Sequence, residues 1–185
     1  MRRPAGIPRT ARTRAPGTRP GLSIHLVLDD VAATERLARA LAPALRPGDL
    51  VALDGGLGAG KSTFARALIA ERLAATGRAE DIPSPSYTLV QTYDLGDCTL
   101  RHADLYRLST AEELAELGLD EAFSEAICIV EWAGRLGRSR PRRALGIELA
   151  FLPGDDGARS ATLAASGGGW DWLPDALRRA GCVPA

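Results

Sequence analysis

Short apolar runs alternate with longer amphipathic ones along this chain of 185 residues. Residues 24–28 read as a strand. Asp29 and Asp30 then stand at N-cap positions before a helical run over 31–45, in which Leu37, Leu41 and Leu45 recur on one face. Pro47-Gly48 marks its end. Residues 50–53 predict a second strand, and a glycine-rich turn separates it from a helix over 61–75. That helix carries Phe64, Leu68, Ile69 and Leu73 on one side and stops at Gly77. A loop over 78–86 leads into a hairpin of strands 87–95 and 99–106 around Gly96-Asp97. Thr110, with Glu113 three residues on, predicts a capping box for a helix over 111–117, closed by Gly118. The unbroken apolar run 126–130 fits a buried central strand. Residues 134–141 read as a basic loop, 143–152 and 159–166 as strands around a turn at 153–157, and 171–179 as a last helix.

Strand–helix units come first and antiparallel strands later, which predicts an α/β fold: a three-layer sandwich around a mixed sheet, with a parallel core and antiparallel additions. The length suits one domain over 22–185, preceded by a disordered Arg/Pro-rich tail over 1–21. The tail's prolines oppose the amphipathic helix of a transit peptide, and it lacks the apolar stretch of a secretory signal.

Charge sharpens the picture. The formal net charge is zero, but residues 1–20 hold six arginines and no acid, so the rest carries 17 basic against 23 acidic residues, a net of −6. A body of that sign is a poor candidate for gripping nucleic acid through a broad basic surface, so any nucleic-acid contact is expected to be indirect. Cys98, Cys128 and Cys182 are odd in number and none is paired at metal-ligand spacing, which fits reduced thiols in a cytoplasmic protein. No apolar run has the length of a membrane span.

Among 22 arginines there is a single lysine, Lys61. Where arginine yields once, the site calls for a slim ammonium that a planar guanidinium cannot replace. Lys61 belongs to Gly55-Gly56-Leu57-Gly58-Ala59-Gly60-Lys61-Ser62, which matches the Walker A pattern GxxxxGK[ST] between a strand and a helix. Such glycines let successive N–H groups turn toward phosphate oxygens, and the helix starting at Lys61-Ser62-Thr63 adds its positive dipole end. Lys61 is expected to meet the β- and γ-phosphates and the Ser62 hydroxyl to ligate Mg2+. No NKxD-type guanine signature occurs, which favours ATP over GTP. Glu131 follows the apolar run, where a hard oxygen ligand for magnesium or an ordinary surface glutamate can stand. Tyr87, Tyr93 and Tyr106 read as core aromatics, and His102 as a packed, hydrogen-bonded histidine. No arginine finger is evident.

Three further segments, Ser84-Pro85-Ser86-Tyr87-Thr88-Leu89-Val90, His102-Ala103-Asp104-Leu105-Tyr106-Arg107-Leu108 and Ile129-Val130-Glu131-Trp132, follow the phosphate loop in this order. The set resembles the TsaE (YjeE) family over residues 24–165. The resemblance implies a P-loop NTPase fold and an ATPase that works with a TsaB–TsaD complex to make threonylcarbamoyladenosine next to the tRNA anticodon. It implies a catalytic set of Lys61, Asp104 and Glu131, with Glu131 and Ser62 on magnesium. It implies nucleotide contacts at Thr34, Gly56, Leu57, Gly58, Ala59, Gly60, Lys61, Ser62, Thr63, Trp132 and Arg159. Ser86 stands where the family usually has threonine, in a segment that resembles a switch loop. Two rivals share the loop: a small-molecule kinase, with the arginine-rich stretch 134–143 as its lid, and a binding module that holds ATP without hydrolysing it.

Overall fold

The computed structural model describes residues 22–108 and 110–182. The expected tail lies outside them. The strands are β1 (Ser23–Leu28), β2 (Leu50–Gly55), β3 (Val90–Asp94), β4 (Thr99–Asp104), β5 (Ile127–Glu131), β6 (Ala144–Leu152) and β7 (Asp155–Ser166). The helices are α1 (Val31–Leu41), α2 (Lys61–Ala74), α3 (Ala111–Glu116), α4 (Leu119–Glu125) and α5 (Leu173–Arg179). One seven-stranded sheet runs in the order β1-β7-β6-β2-β5-β4-β3. Its middle, β6-β2-β5-β4, is parallel, while β7 and β1 extend one side and β3 the other as antiparallel strands.

Both faces of the sheet are covered, as the unbroken apolar character of β5 requires. Alternation sends Ile127 and Ile129 to the layer holding Leu37 of α1, Phe64 and Leu68 of α2 and Leu173 of α5. It sends Cys128 and Val130 to the opposite layer, with Leu114 of α3, Leu119 of α4 and Leu136. The three-layer mixed α/β sandwich is therefore as expected.

Several boundaries differ from the sequence reading. Asp30 caps α1, its side chain accepting the Ala33 N–H at 2.6 Å, but the helix ends at Leu41 and not at 45. Pro43 lacks an N–H to continue the α-helical ladder, and Ala42–Ala44 tightens into a 3-10 turn. The first strand, β1, lies outside the parallel core, at the sheet edge beside β7. Residues 87–89 do not join β3: Leu89 adopts φ 64, and its N–H bonds the Pro85 carbonyl in a turn. Tyr87 consequently stands 81% exposed and Tyr106 is also exposed, so of the three tyrosines only Tyr93 is in the core. Gly118, φ 62, ends one helix and starts α4, which the sequence reading lacks. The expected basic loop holds two short 3-10 pieces within Ala133–Ser139, kinked at Gly137, and the last hairpin turns at Pro153-Gly154 alone.

Candidate nucleotide-binding site

The phosphate-loop pattern sits where β2 hands over to α2. Gly60 precedes α2 with φ 106, a conformation that favours glycine, and α2 carries no acidic residue in its first turn. The positive end of that helix therefore faces the cleft with no acidic residue of its own in the first turn. Lys61 is 5% exposed. Its Nζ donates to the carbonyls of Gly55 at 2.9 Å and Gly56 at 2.8 Å and lies 3.9 Å from the centre of the Trp132 ring. Burial pushes the Lys61 ammonium below the ordinary lysine range, against the opposing pull of the Glu131, Asp104 and Asp54 carboxylates.

The acidic residues reach the same place by strand alternation. Leu100, His102 and Asp104 share one face of β4, and Ile127, Ile129 and Glu131 share that face on β5, with Asp104 paired to Glu131 in parallel register. This is the face that α2 covers. The Ser62 hydroxyl donates to Glu131 Oε2 at 2.8 Å, and His102 Nε2 meets Glu131 Oε1 at 3.0 Å. Asp104 accepts the Ser86 hydroxyl on Oδ2 at 2.7 Å and the Tyr106 N–H on Oδ1 at 2.9 Å. Ser84 Oγ in turn lies 2.8 Å from Ser86 Oγ. The switch-like segment is thus tied to Asp104.

The donor set fits magnesium in particular. Two hard oxygens, Ser62 Oγ and Glu131 Oε2, already touch. Among the described residues no group of three or more His, Cys, Asp or Glu gathers to hold a metal alone. Magnesium binds through one or two such protein oxygens together with phosphates and waters.

A cleft of about 290 Å³ lies over these groups, lined by Leu57, Gly58, Gly60, Lys61, Ser62 and Thr63 on the loop side and by Asp104, Glu131 and Trp132 opposite. Trp132 takes the left-handed conformation, φ 58, directly after Glu131, and its ring lies 5.0 Å from that of Tyr106. Gly56 and Ala59 belong to the same loop, Ala59 fully buried beneath it. Two expected residues stand apart from the cleft. Thr34 is buried behind the loop, its methyl 3.9 Å from where a Cβ on Gly60 would sit. Arg159 touches the loop from outside, donating to the Gly58 carbonyl at 3.4 Å while its guanidinium lies 4.1 Å over the Phe151 ring. Three lining residues are missing from the expected site residues: Arg66, Ser86 and Tyr106. Arg66 was legible: it follows Ser62 by four residues, one turn along the same helix face, and its Nε donates to the Ser62 carbonyl.

Comparison with known proteins points one way. The family model described as threonylcarbamoyl adenosine biosynthesis protein TsaE matches residues 28–159. The tRNA threonylcarbamoyladenosine biosynthesis protein TsaE of Bacillus subtilis is 37% identical over 147 residues, covering 79% of this chain and 88% of that protein. The protein of the same name from Rickettsia bellii is 36% identical over 134 residues, covering 72% of this chain and 91% of its own. The match to the Rickettsia felis protein, 42% identical over 108 residues, covers 58% of this chain and 61% of that protein. Among solved structures, Bacillus subtilis YdiB superposes with a TM-score of 0.69 at 29% identity, over 88% of this chain and 98% of its own.

Proposed function

Because this chain belongs to the TsaE family of tRNA threonylcarbamoyladenosine biosynthesis proteins and has the P-loop NTPase fold, we propose that it is a magnesium-dependent ATPase serving that modification next to the anticodon, acting with a TsaB–TsaD complex. The observation that carries the reading is the 2.8 Å contact between Ser62 and Glu131 beside the loop lysine.

In this reading ATP lies with its phosphates against the amides of Gly56, Leu57, Gly58, Ala59, Gly60, Ser62 and Thr63. Lys61 leaves the two loop carbonyls and pairs with the β- and γ-phosphates. Ser62 and Glu131 would hold the magnesium ion, which would supply positive charge against the phosphates. Asp104 has lone pairs to spare beyond its two hydrogen bonds and orients the attacking water. Trp132 covers the Lys61 side of the cleft and excludes bulk water. Thr34 and Arg159 brace the loop from behind and outside. The catalytic work is mostly positioning and charge stabilisation. Arg66 is the arginine that lines the cleft among the described residues, but it is exposed and bonded to a carbonyl. Hydrolysis is therefore expected to be slow alone and faster on the partner complex. The cytoplasm is the expected compartment, and no helix among the described residues is long and apolar enough to cross a membrane.

The kinase alternative has less support: of the five arginines in the stretch 134–143, Arg143 is bound to Asp49 and Arg135 to the Leu108 carbonyl, and none of the five lines the cleft. Product analysis with TsaB, TsaD, ATP and tRNA decides between the readings. Free phosphate is expected, its release rising with the partners and vanishing in Lys61→Ala. A phosphorylated small molecule, or full hydrolysis by Lys61→Ala, defeats the proposal. ATP binding without any turnover, alone or with the partners, leaves only the binding module.

A further inference from the structure

We infer that His102 is the positioning residue of this site: it fixes the Glu131 carboxylate so that one oxygen is presented to Ser62 and to a magnesium ion. The inference rests on the reading above, in which Glu131 serves that ion.

His102 is 0% exposed and Glu131 1%. The histidine reaches across from β4 to β5 and meets Oε1 at 3.0 Å, while Ser62 holds the other oxygen, Oε2, at 2.8 Å. The carboxylate is therefore pinned at both ends, and the two contacts are not equivalent. The serine contact is on the oxygen that faces the cleft and competes with any cation placed there. The histidine contact lies on the other oxygen, and His102 is not among the residues that line the cleft.

The tautomer follows from the surroundings. Nδ1 of His102 is buried without a partner. A hydrogen there finds no acceptor, so the ring hydrogen belongs on Nε2, against the carboxylate. An orphaned buried nitrogen is a cost that a leucine at the same position would not incur. The ring's compensating feature is its single directed donor. Partners of this kind behind a metal ligand orient it, and their loss commonly weakens metal affinity about 10–100-fold.

The test measures the affinity of the full chain for a fluorescent ADP analogue with and without Mg2+, for wild type and for His102→Leu, His102→Gln and His102→Asn, with thermal melting alongside. Leucine fills the space without a donor. Glutamine carries its amide nitrogen to the level of Nε2, whereas asparagine reaches only the level of Nδ1. The magnesium-driven gain in affinity is expected to shrink about 10-fold or more in His102→Leu and His102→Asn. It should largely return in His102→Gln, with magnesium-free affinity little changed in all three. If leucine prevents folding, the glutamine–asparagine pair carries the comparison. A normal magnesium gain in wild type together with equal gains, or equal losses, across the variants overturns this inference alone. A wild-type affinity that ignores magnesium overturns the functional reading with it.

Discussion

Gly55→Ala separates what the phosphate loop needs for folding from what it needs for its ligand. Gly55 is the last residue of β2, paired with Leu149 of β6, and its φ is +136. A Cβ at this position would lie 2.1 Å from the Leu149 carbonyl oxygen and 3.1 Å from its carbon, both backbone atoms of a central strand. Neither can move far without opening the parallel pairing. Holding alanine in this backbone region costs about 1–3 kcal/mol, and displacing packed neighbours costs roughly 1–3 kcal/mol more. A combined loss of about 3–4 kcal/mol lowers the melting temperature of a domain this size by roughly 10 °C. Gly56→Ala is the control, since no atom lies within 4 Å of its Cβ and its φ is not in the positive range. Its melting temperature should stay within about 2 °C of wild type, as for an ordinary surface change. Differential scanning calorimetry without nucleotide reads both. Equal melting of Gly55→Ala and wild type, or an equal drop in the two variants, refutes the steric argument.

Three other outcomes are expected. Arg143→Ala strands the buried carboxylate of Asp49, to which Arg143 Nε donates at 2.6 Å, and should cost roughly 3 kcal/mol in denaturant unfolding while leaving nucleotide affinity unchanged. Burial disfavours the Cys128 thiolate and raises its pKa to about 12, so at pH 8 the reactive form is about one part in ten thousand. A thiol reagent should label Cys98 and Cys182 in the native protein and Cys128 only after unfolding; rapid native labelling of Cys128 contradicts its burial. Asp104→Asn keeps an acceptor for the Tyr106 N–H and a partner for Ser86, so it should melt like wild type and bind nucleotide at least as tightly while hydrolysis falls roughly 100-fold. A matching fall in binding would make Asp104 a structural latch.

The phosphate loop, the buried strand behind Glu131 and the capping box at Thr110 were legible in the sequence because each rests on neighbours within a few positions. What escaped depends on chain segments that meet only in space. The edge position of β1 follows from its pairing with β7 some 130 residues on, and nothing within residues 24–28 encodes it. Residues 87–89 have strand-like composition, yet the turn closed by the Leu89–Pro85 hydrogen bond removes them from the sheet and leaves Tyr87 outside. The His102–Glu131 contact needs β4 and β5 to be adjacent and parallel, a fact of topology and not of spacing. Thr34 and Arg159, carried by resemblance alone, stand against the loop but outside the cleft it frames.

Nucleotide affinity of Glu131→Gln, measured calorimetrically with and without magnesium, tests most directly whether one cation bridges Ser62 and β5 to the phosphates. Opposite signs are expected in the two arms. Without the metal, removing a negative charge from beside the phosphates should tighten ADP binding. With it, the gain seen in wild type should disappear. A variant that retains the whole magnesium-dependent gain would place the ion elsewhere and end the case for this site.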